Sequence, residues 1–460
     1  MKTIAMLVVA LITVGFSVPT VAADPLSVQD CIREALEHSP LLSSNQHLIE
    51  ADRADIMKKK GATLPYFSTQ LQGYEVNGSP VTAFTPLGLF EPASGGVLTS
   101  KGIRFPSAHW APVGLEEVGV TYPLYYEGSI LGLNDSPSVA SARAVMTQQQ
   151  LTQAVAEQKV IFDVLTAYIY VIGYRRELAT QRELLKASQR QLAITREQVG
   201  LGLKLEQDID VAQGQVDQAQ QGIESASQSA QTFAAELAEM IGRSSDDSLE
   251  LQDWWPKLPK LPPQRQLVEE VVAASPALSI QQAKIDVARQ QLKVDQTSLL
   301  PTATLNTSFS GAQDLEYFNG NSTHPRPTLF LSYLTVEMPI FDFGQRASAI
   351  RESEETLLSA RDALSEVKLQ LQSSITQTYG TILVDAQTLA TMQSTYIKED
   401  RALMLARAQH DEGMVDELGL ATAEVTALEA KVPVEVEDLT ERLQYASLQN
   451  LTAGVWRLVR

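Results

Sequence analysis

The chain contains one large unit twice, and that duplication limits its possible folds more than any single motif does. Ser39-Pro40 and Leu64-Pro65 recur as Ser275-Pro276 and Leu300-Pro301, both at an offset of 236. Pro123, in VTYPLYYEG, pairs with Pro339, in VEMPIFDFG, at an offset of 216. Three later pairs, Tyr168 with Tyr379, Gly202 with Gly413 and Ala212 with Ala423, share an offset of 211. A period of this size is far longer than a solenoid repeat, so it predicts two pseudo-equivalent copies of one supersecondary unit. Their expected bounds are 24–242 and 266–460, with a linker at 243–265 holding Trp254-Trp255 in a proline-rich run, WWPKLPKLPP. The fall in offset locates an insertion between Pro65 and Pro123 that the matching stretch, Pro301 to Pro339, lacks. The excess falls in 76–112, rich in Gly, Pro, Ser and aromatics without helical period, which predicts an exposed loop.

Residues 1–23 read as a secretory signal: Lys2, an apolar run from Ile4 to Val18, and the small residues Val21-Ala22-Ala23 ahead of Asp24. The other reading, a membrane anchor, meets a run that is short and interrupted by Thr13, Gly15, Ser17 and Pro19. No later segment is long and apolar enough for a membrane-spanning helix, so any spanning is expected of strands. Cys31 is the only cysteine, which excludes an intramolecular disulfide and a cysteine metal cage. Its helical context, LSVQDCIREAL, predicts a buried small apolar residue. The formal charge of −19 argues against a nucleic-acid partner and for an acidic surface that attracts cations.

Long helices run out and back in each copy. Residues 137–199 contain no proline after Pro137 and only Gly173, with apolar residues at three- and four-residue spacing through Val160, Val164, Ala167, Tyr168, Val171 and Ile172. At about 1.5 Å per residue, such a helix spans roughly 95 Å. The stretch 347–409 repeats the pattern, and return helices are expected over 209–241 and 420–451, after turns that contain glycine. Rich in Gln, Ala, Ser and Thr, these helices suit coiled-coil packing along narrow seams, either as a rod or as the wall of a tube.

Four stretches switch to period two, near 66–74, 116–124, 302–310 and 329–338. Phe67, Thr69 and Leu71 alternate with Ser68, Gln70 and Gln72, and Val118, Val120 and Tyr122 with Glu117, Gly119 and Thr121. Ala303, Leu305 and Phe309 alternate with Thr304, Asn306 and Ser308, and Leu334, Val336 and Met338 with Tyr333, Thr335 and Glu337. Strands of about ten residues with one apolar face and flanking aromatics fit a transmembrane β-barrel, or else a half-buried soluble hairpin. Four strands cannot close a cylinder, and open edges in lipid leave backbone groups unsatisfied, so a barrel must be shared between chains. Eight strands fill their own interior whereas twelve leave an aqueous lumen, so a conduit prefers at least three chains in a ring.

At this point the chain resembles the TolC-like outer-membrane efflux proteins over essentially its whole length after residue 23. The resemblance is carried by Ser39-Pro40, by Leu64-Pro65 before a strand, by Thr166-Ala167-Tyr168, by Gly202 to Ala212 and Gly413 to Ala423, and by LTAGVW near the end. It implies a mainly α, mixed α and β fold: a homotrimer with a 12-stranded outer-membrane β-barrel continued by a periplasmic α-helical barrel. It also implies an exit duct in the outer membrane of a Gram-negative bacterium, contacting outer-membrane lipid and docking a periplasmic adaptor and an inner-membrane pump.

In that family the helix-to-helix turns form a periplasmic tip where the tube narrows. Here they are 199–210 and 410–419. Asp208 matches a gate acid of the family's first repeat. In the second repeat the tip aromatic falls on His410, the arginine on Val415, and two aspartate-ring positions on Gly419 and Thr422, so that salt-bridge set is not carried over. The candidate gate residues are Glu206, Asp208, Asp210, His410, Asp411, Asp416 and Glu417, whose acids, repeated around a ring, would favour cations. Val199-Gly200-Leu201 resembles the family's adaptor-contacting Val-Gly-Leu, two residues out of the frame set by Gly202, and the candidate adaptor contacts are Val199, Gly200, Leu201, Gly202 and Gly413.

Catalysis is not expected. Glu206, Asp208 and Asp210 have the spacing of a calcium loop, but its required sixth-position glycine is Val211, within continuing helical period. The five histidines, His38, His47, His109, His324 and His410, show no metal-ligand spacing, and no nucleophile elbow, phosphate loop or dinucleotide fingerprint is present. No cofactor or metal is expected. The alternative function is a structural periplasmic coiled-coil protein without a pore, which would be soluble without detergent.

Overall fold

The protein is described from a computed structural model over residues 25–76, 111–245, 249–314 and 328–451. The expected signal segment, 1–23, and most of the expected loop lie outside the described residues. Two compact units form, each from both halves of the chain: Met1–Ser43, Ala154–Ser275 and Gln370–Arg460 make one, Ser44–Gln153 and Pro276–Leu369 the other.

The second unit carries an antiparallel sheet of β1 (Tyr66–Val76), β2 (Ala111–Tyr126), β4 (Thr302–Asp314) and β5 (Thr328–Glu337), in the order β1-β2-β4-β5. The short β3 (Ser129–Ile130) folds onto the end of β2. β2 begins at Ala111, so the expected loop is shorter at that end than its composition suggests. The register brings Thr69, Val118, Phe309 and Phe330 into one row, and Tyr122, Leu305 and Leu334 into another on the same face. The opposite face holds Tyr66, Thr121, Asn306 and Tyr333 in one row and Ser68, Gly119, Ser308 and Leu331 in the next, so it is polar on β1, β2 and β4 and mixed on β5. There Thr121 Oγ1 donates to Asn306 Oδ1 at 3.1 Å and Asn306 Nδ2 to Thr335 Oγ1 at 3.4 Å. The period-two residues of all four strands therefore sort into one apolar and one polar face. Phe67, Val118, Phe309, Phe330, Leu334 and Val336 are all exposed on the apolar face, which is what a lipid-facing surface requires.

Both copies enter the sheet in the same way. α2 (Pro40–Gly61) and α6 (Pro276–Thr297) each start on the proline that follows Ser39 or Ser275, where a missing N–H costs nothing. Each stops in a tight turn, Leu64 N–H to Gly61 O at 3.1 Å and Leu300 N–H to Thr297 O at 3.0 Å, immediately before Pro65 or Pro301. After the sheet, Glu127-Gly128 and Phe343-Gly344 both take positive φ (48° and 77°, 54° and 85°), at the same offset that relates Pro123 to Pro339.

In the helical unit, α1 (Val28–His38) is started by a Ser27/Asp30 capping box and presents Cys31, fully buried as expected, and Ala35 to the core. Most of α3 (Pro137–Gly200) lies here, with α4 (Glu206–Met240), α5 (Gln264–Ala274), much of α7 (Gln345–Asp411) and α8 (Glu417–Leu451). Ile161, Val164, Leu165, Tyr168 and Ile172 of α3 pack with Leu237 and Ala238 of α4, Leu249, Leu251 and Leu439. Away from this core the seams are narrow. Ala212, Ala219 and Ala226 are buried at seven-residue intervals on α4, as are Ile375, Ile382 and Leu389 on α7. At Gly173 an added Cβ would lie 2.6 Å from Leu439 Cδ1, so the single glycine inside α3 marks a close helix approach.

The linker is fastened here. Trp255 lies between the guanidinium groups of Arg176 and Arg442, 4.7 and 4.6 Å from its ring centre. Its Nε1 donates to Asp438 at 2.8 Å.

Pro433 sits inside α8 and removes an N–H that would have bonded to the Glu429 carbonyl. Beyond it, Asp385 of α7 faces Glu437 and Glu441 of α8, and burial pushes all three carboxyls above the usual range. Glu441 is only 9% exposed. A raised folded-state pKa stabilises the fold below the unfolded carboxylate range and loses that stabilisation as pH rises through the folded value. Glu441→Gln is therefore expected to raise the melting temperature at neutral pH, with the gain shrinking in mild acid. A melting series against pH checks this, and a variant less stable at neutral pH would contradict it.

Candidate functional site at the helical turns

α3 and α7 end in the same hydrogen-bonded turn. Leu203 N–H donates to Gln198 O and Gly202 N–H to Val199 O, both at 2.9 Å, and Met414 N–H to Gln409 O and Gly413 N–H to His410 O, both at 2.8 Å. Gly202 and Gly413 hold φ of 72° and 75°, the left-handed geometry this stop needs.

The candidate gate acids separate by what holds them. Asp208 accepts the Leu205 N–H at 3.0 Å, so its carboxylate caps the start of α4. Asp416 caps α8 by accepting the Gly419 N–H at 2.8 Å, and also accepts from Gln198 Nε2 of α3 at 3.1 Å. Those two donors hold its carboxyl below the usual range. Glu417 lies 3.4 Å from Arg190 of α3. Glu206, Asp210 and Asp411 are exposed. His410 Nδ1 lies 2.9 Å from the Val415 carbonyl, so it carries the proton.

The contact between the two hairpins involves residues without a motif of their own. Arg190 also reaches Glu424 at 3.9 Å, and Glu424 is 3.8 Å from Arg407 of α7. Gln191 Nε2 donates to Thr422 Oγ1 at 3.3 Å. Thus Gly419 and Thr422, where the resembling family has its aspartate rings, serve here as a cap donor and as a partner of α3. The only sequence signal for this clasp is distance: Arg190 stands roughly three helical turns before Gly202, and Glu424 about three after Gly413. Exposed ion pairs contribute about 0–1 kcal/mol each, so the clasp is easily opened.

The turns also present apolar side chains to solvent. Leu201, Leu203 and Leu205 are 68%, 70% and 71% exposed, and Met414 is exposed beside the second turn. Beside Gly200, Gly202 and Gly413 the space is open, so the backbone there is accessible to a partner. Val199 is half-buried, and Leu203, Leu205 and Met414 extend the surface beyond the Val-Gly-Leu run.

The described residues combine an antiparallel sheet with one apolar face and, joined to it in sequence, two long helical hairpins. The chain belongs to the outer membrane efflux protein family, whose profile matches residues 31–243 and 267–451. It is an outer-membrane protein of the TolC-like kind. It is 23% identical over 249 residues to the outer membrane efflux protein BepC of Brucella suis, covering 54% of this chain and 53% of that one. With the outer membrane protein TolC of Escherichia coli it shares 22% identity over 293 residues, covering 62% and 59% of the two chains. The alignments thus span a little over half of these relatives' lengths. The crystal structure of the outer membrane protein VceC from Vibrio cholerae has the same fold, with a TM-score of 0.71 at 15% identity over 93% of this chain and 95% of that one.

Proposed function

We propose that this protein is the outer-membrane exit duct of a tripartite efflux or secretion system. In this reading three copies close the sheet into a 12-stranded barrel, and the helical hairpins continue it into the periplasm. The repeats at 24–242 and 266–460, joined by the 243–265 linker, then give a ring of six pseudo-equivalent hairpins. The observation that carries the reading is the open sheet: among the described residues β1 and β5 each have one partner, and the apolar face is exposed along all four long strands. In lipid, unpaired edges cost several kcal/mol per backbone group, which pairing β1 of one copy with β5 of the next relieves. The turns form the gate, with Asp208, Asp416 and Glu417 tied to the helix starts and to α3, while Glu206, Asp210, His410 and Asp411 line its rim. The exposed leucines and open glycine backbone of the turns dock a periplasmic adaptor, which connects the duct to an inner-membrane pump.

The test is single-channel conductance of the detergent-purified protein in a planar bilayer, with Asp208→Asn as the variant. Asparagine keeps the cap on Leu205 and removes the charge, so fold and gate effects separate. Small cation-selective currents that grow in the variant support the gate. Failure to insert at all would remove the duct and leave a periplasmic rod.

A further inference from the structure

α7 carries two heptad seams, and only one of them is covered. Ile375, Ile382, Leu389 and Leu403 are buried within the chain. One position further round the helix, Leu383, Ala390, Ile397 and Met404 recur every seven residues and are all exposed. A helix with two seven-residue stripes has a neighbour on each side. Beside the outer stripe, a shallow groove of about 550 Å³ is lined by Ala390, Gln393, Ser394, Ile397, Lys398 and Arg401. The Lys398 side chain is 79% exposed and touches Glu399 of its own helix at 3.0 Å, and Arg401 has no ion-pair partner among the described residues.

The charge of the helices says which element fits there. α4 contains seven acids and no lysine or arginine, and Asp210, Asp217 and Glu224 form an exposed file at seven-residue spacing. Between 182 and 197, α3 instead exposes Arg182, Lys186, Arg190 and Arg196 against only Glu183 and Glu197, a net positive stretch that would repel Lys398 and Arg401. Heights also agree. The Gln198–Asp416 hydrogen bond holds the two turns of one chain level. Asp217 follows Gly202 by the same separation at which Lys398 precedes Gly413, and α4 and α7 run in opposite directions at their turns.

We propose that the outer seam of α7 packs against α4 of a second copy of this chain, with Lys398 opposite Asp217 and Arg401 between Asp210 and Asp217. This rests on the cyclic assembly proposed above and names the surfaces that close it. Complementary charge sets partner and register, while the apolar stripe supplies the contact.

The double variant Asp217→Cys with Lys398→Cys, treated with a short bis-maleimide, tests the pairing. Cys31 is fully buried and burial pushes its thiol up to about 12, so it does not compete. Covalent dimers and trimers are expected from the double variant and not from either single one. Charge reversal provides a second measurement without cross-linking. Lys398→Glu with Arg401→Glu should lower the temperature at which the oligomer dissociates in detergent, and adding Asp217→Lys should restore most of the loss. A particle that stays oligomeric by mass yet yields only monomers on the gel overturns the α4–α7 pairing alone, as does equal cross-linking between Lys186→Cys and Lys398→Cys. A monomeric native protein would instead remove the cyclic assembly itself.

Discussion

Tyr168→Ala is expected to lower the stability of the helical unit by about 3–5 kcal/mol, the cost of emptying a fully buried aromatic site. The side chain is 0% exposed, and its hydroxyl sits 3.0 Å from the Leu26 carbonyl and 2.6 Å from that of Gln252. It thereby ties α3 to the segment before α1 and to the middle of the linker. Its ring meets Trp254 edge-on at 6.2 Å. Tyr168→Phe keeps the packing and removes one hydroxyl. Leu26 O still accepts the Gln252 N–H at 3.0 Å and Gln252 is an exposed residue, so the loss is that of one hydrogen bond, about 0.5–1.5 kcal/mol. Tyr379, the repeat equivalent, is half-buried, and Tyr379→Ala should cost clearly less. Thermal unfolding followed by helical circular dichroism checks the order Tyr168→Ala, then Tyr168→Phe. Equal losses for Tyr168→Ala and Tyr379→Ala would mean that the linker does not cover the first site.

Phe309→Arg is expected to abolish or strongly reduce assembly into membranes, because a cation on the lipid-facing side of a barrel costs about 2–4 kcal/mol at mid-membrane. Phe309 pairs with Val118 on one side and Phe330 on the other, and all three are exposed on the apolar face. Ser308, one residue earlier, pairs with Gly119 and points to the polar face. In the proposed barrel, Ser308→Arg should therefore assemble normally and reduce cation conductance by adding positive charge to the lumen. Membrane fractionation of the two variants reads the difference. If both assemble alike, the sheet does not have one lipid face and one aqueous face.

The sheet was legible because period two is a direct consequence of the pleat. Within each strand, Phe67 with Thr69, Val118 with Tyr122, Leu305 with Phe309 and Leu334 with Val336 needed only the same parity to share a face, and the register then aligns the four strands. The helical turns were legible because Gly202 and Gly413 sit where only a residue tolerating positive φ closes the stop. The roles of the tip acids were less so. Asp208 reads as an exposed charge until the backbone shows Leu205 N–H on its carboxylate. Arg190 and Glu424 are ordinary helix-surface residues, and only the level packing of two hairpins brings them together. Pro433 is the opposite case: its local preference ends a helix, yet α8 runs through it because long seams on either side outweigh one lost hydrogen bond. The shorter helices α2 and α6 were hidden by weak apolar periodicity, their starts marked only by the Ser-Pro pairs.

The central claim is that several copies close one open sheet into a membrane channel. Its most direct test is the mass of the protein particle extracted from outer membranes in detergent, corrected for bound detergent. A particle of three chains that requires detergent to remain in solution is expected. A single chain, soluble without detergent, would contradict it.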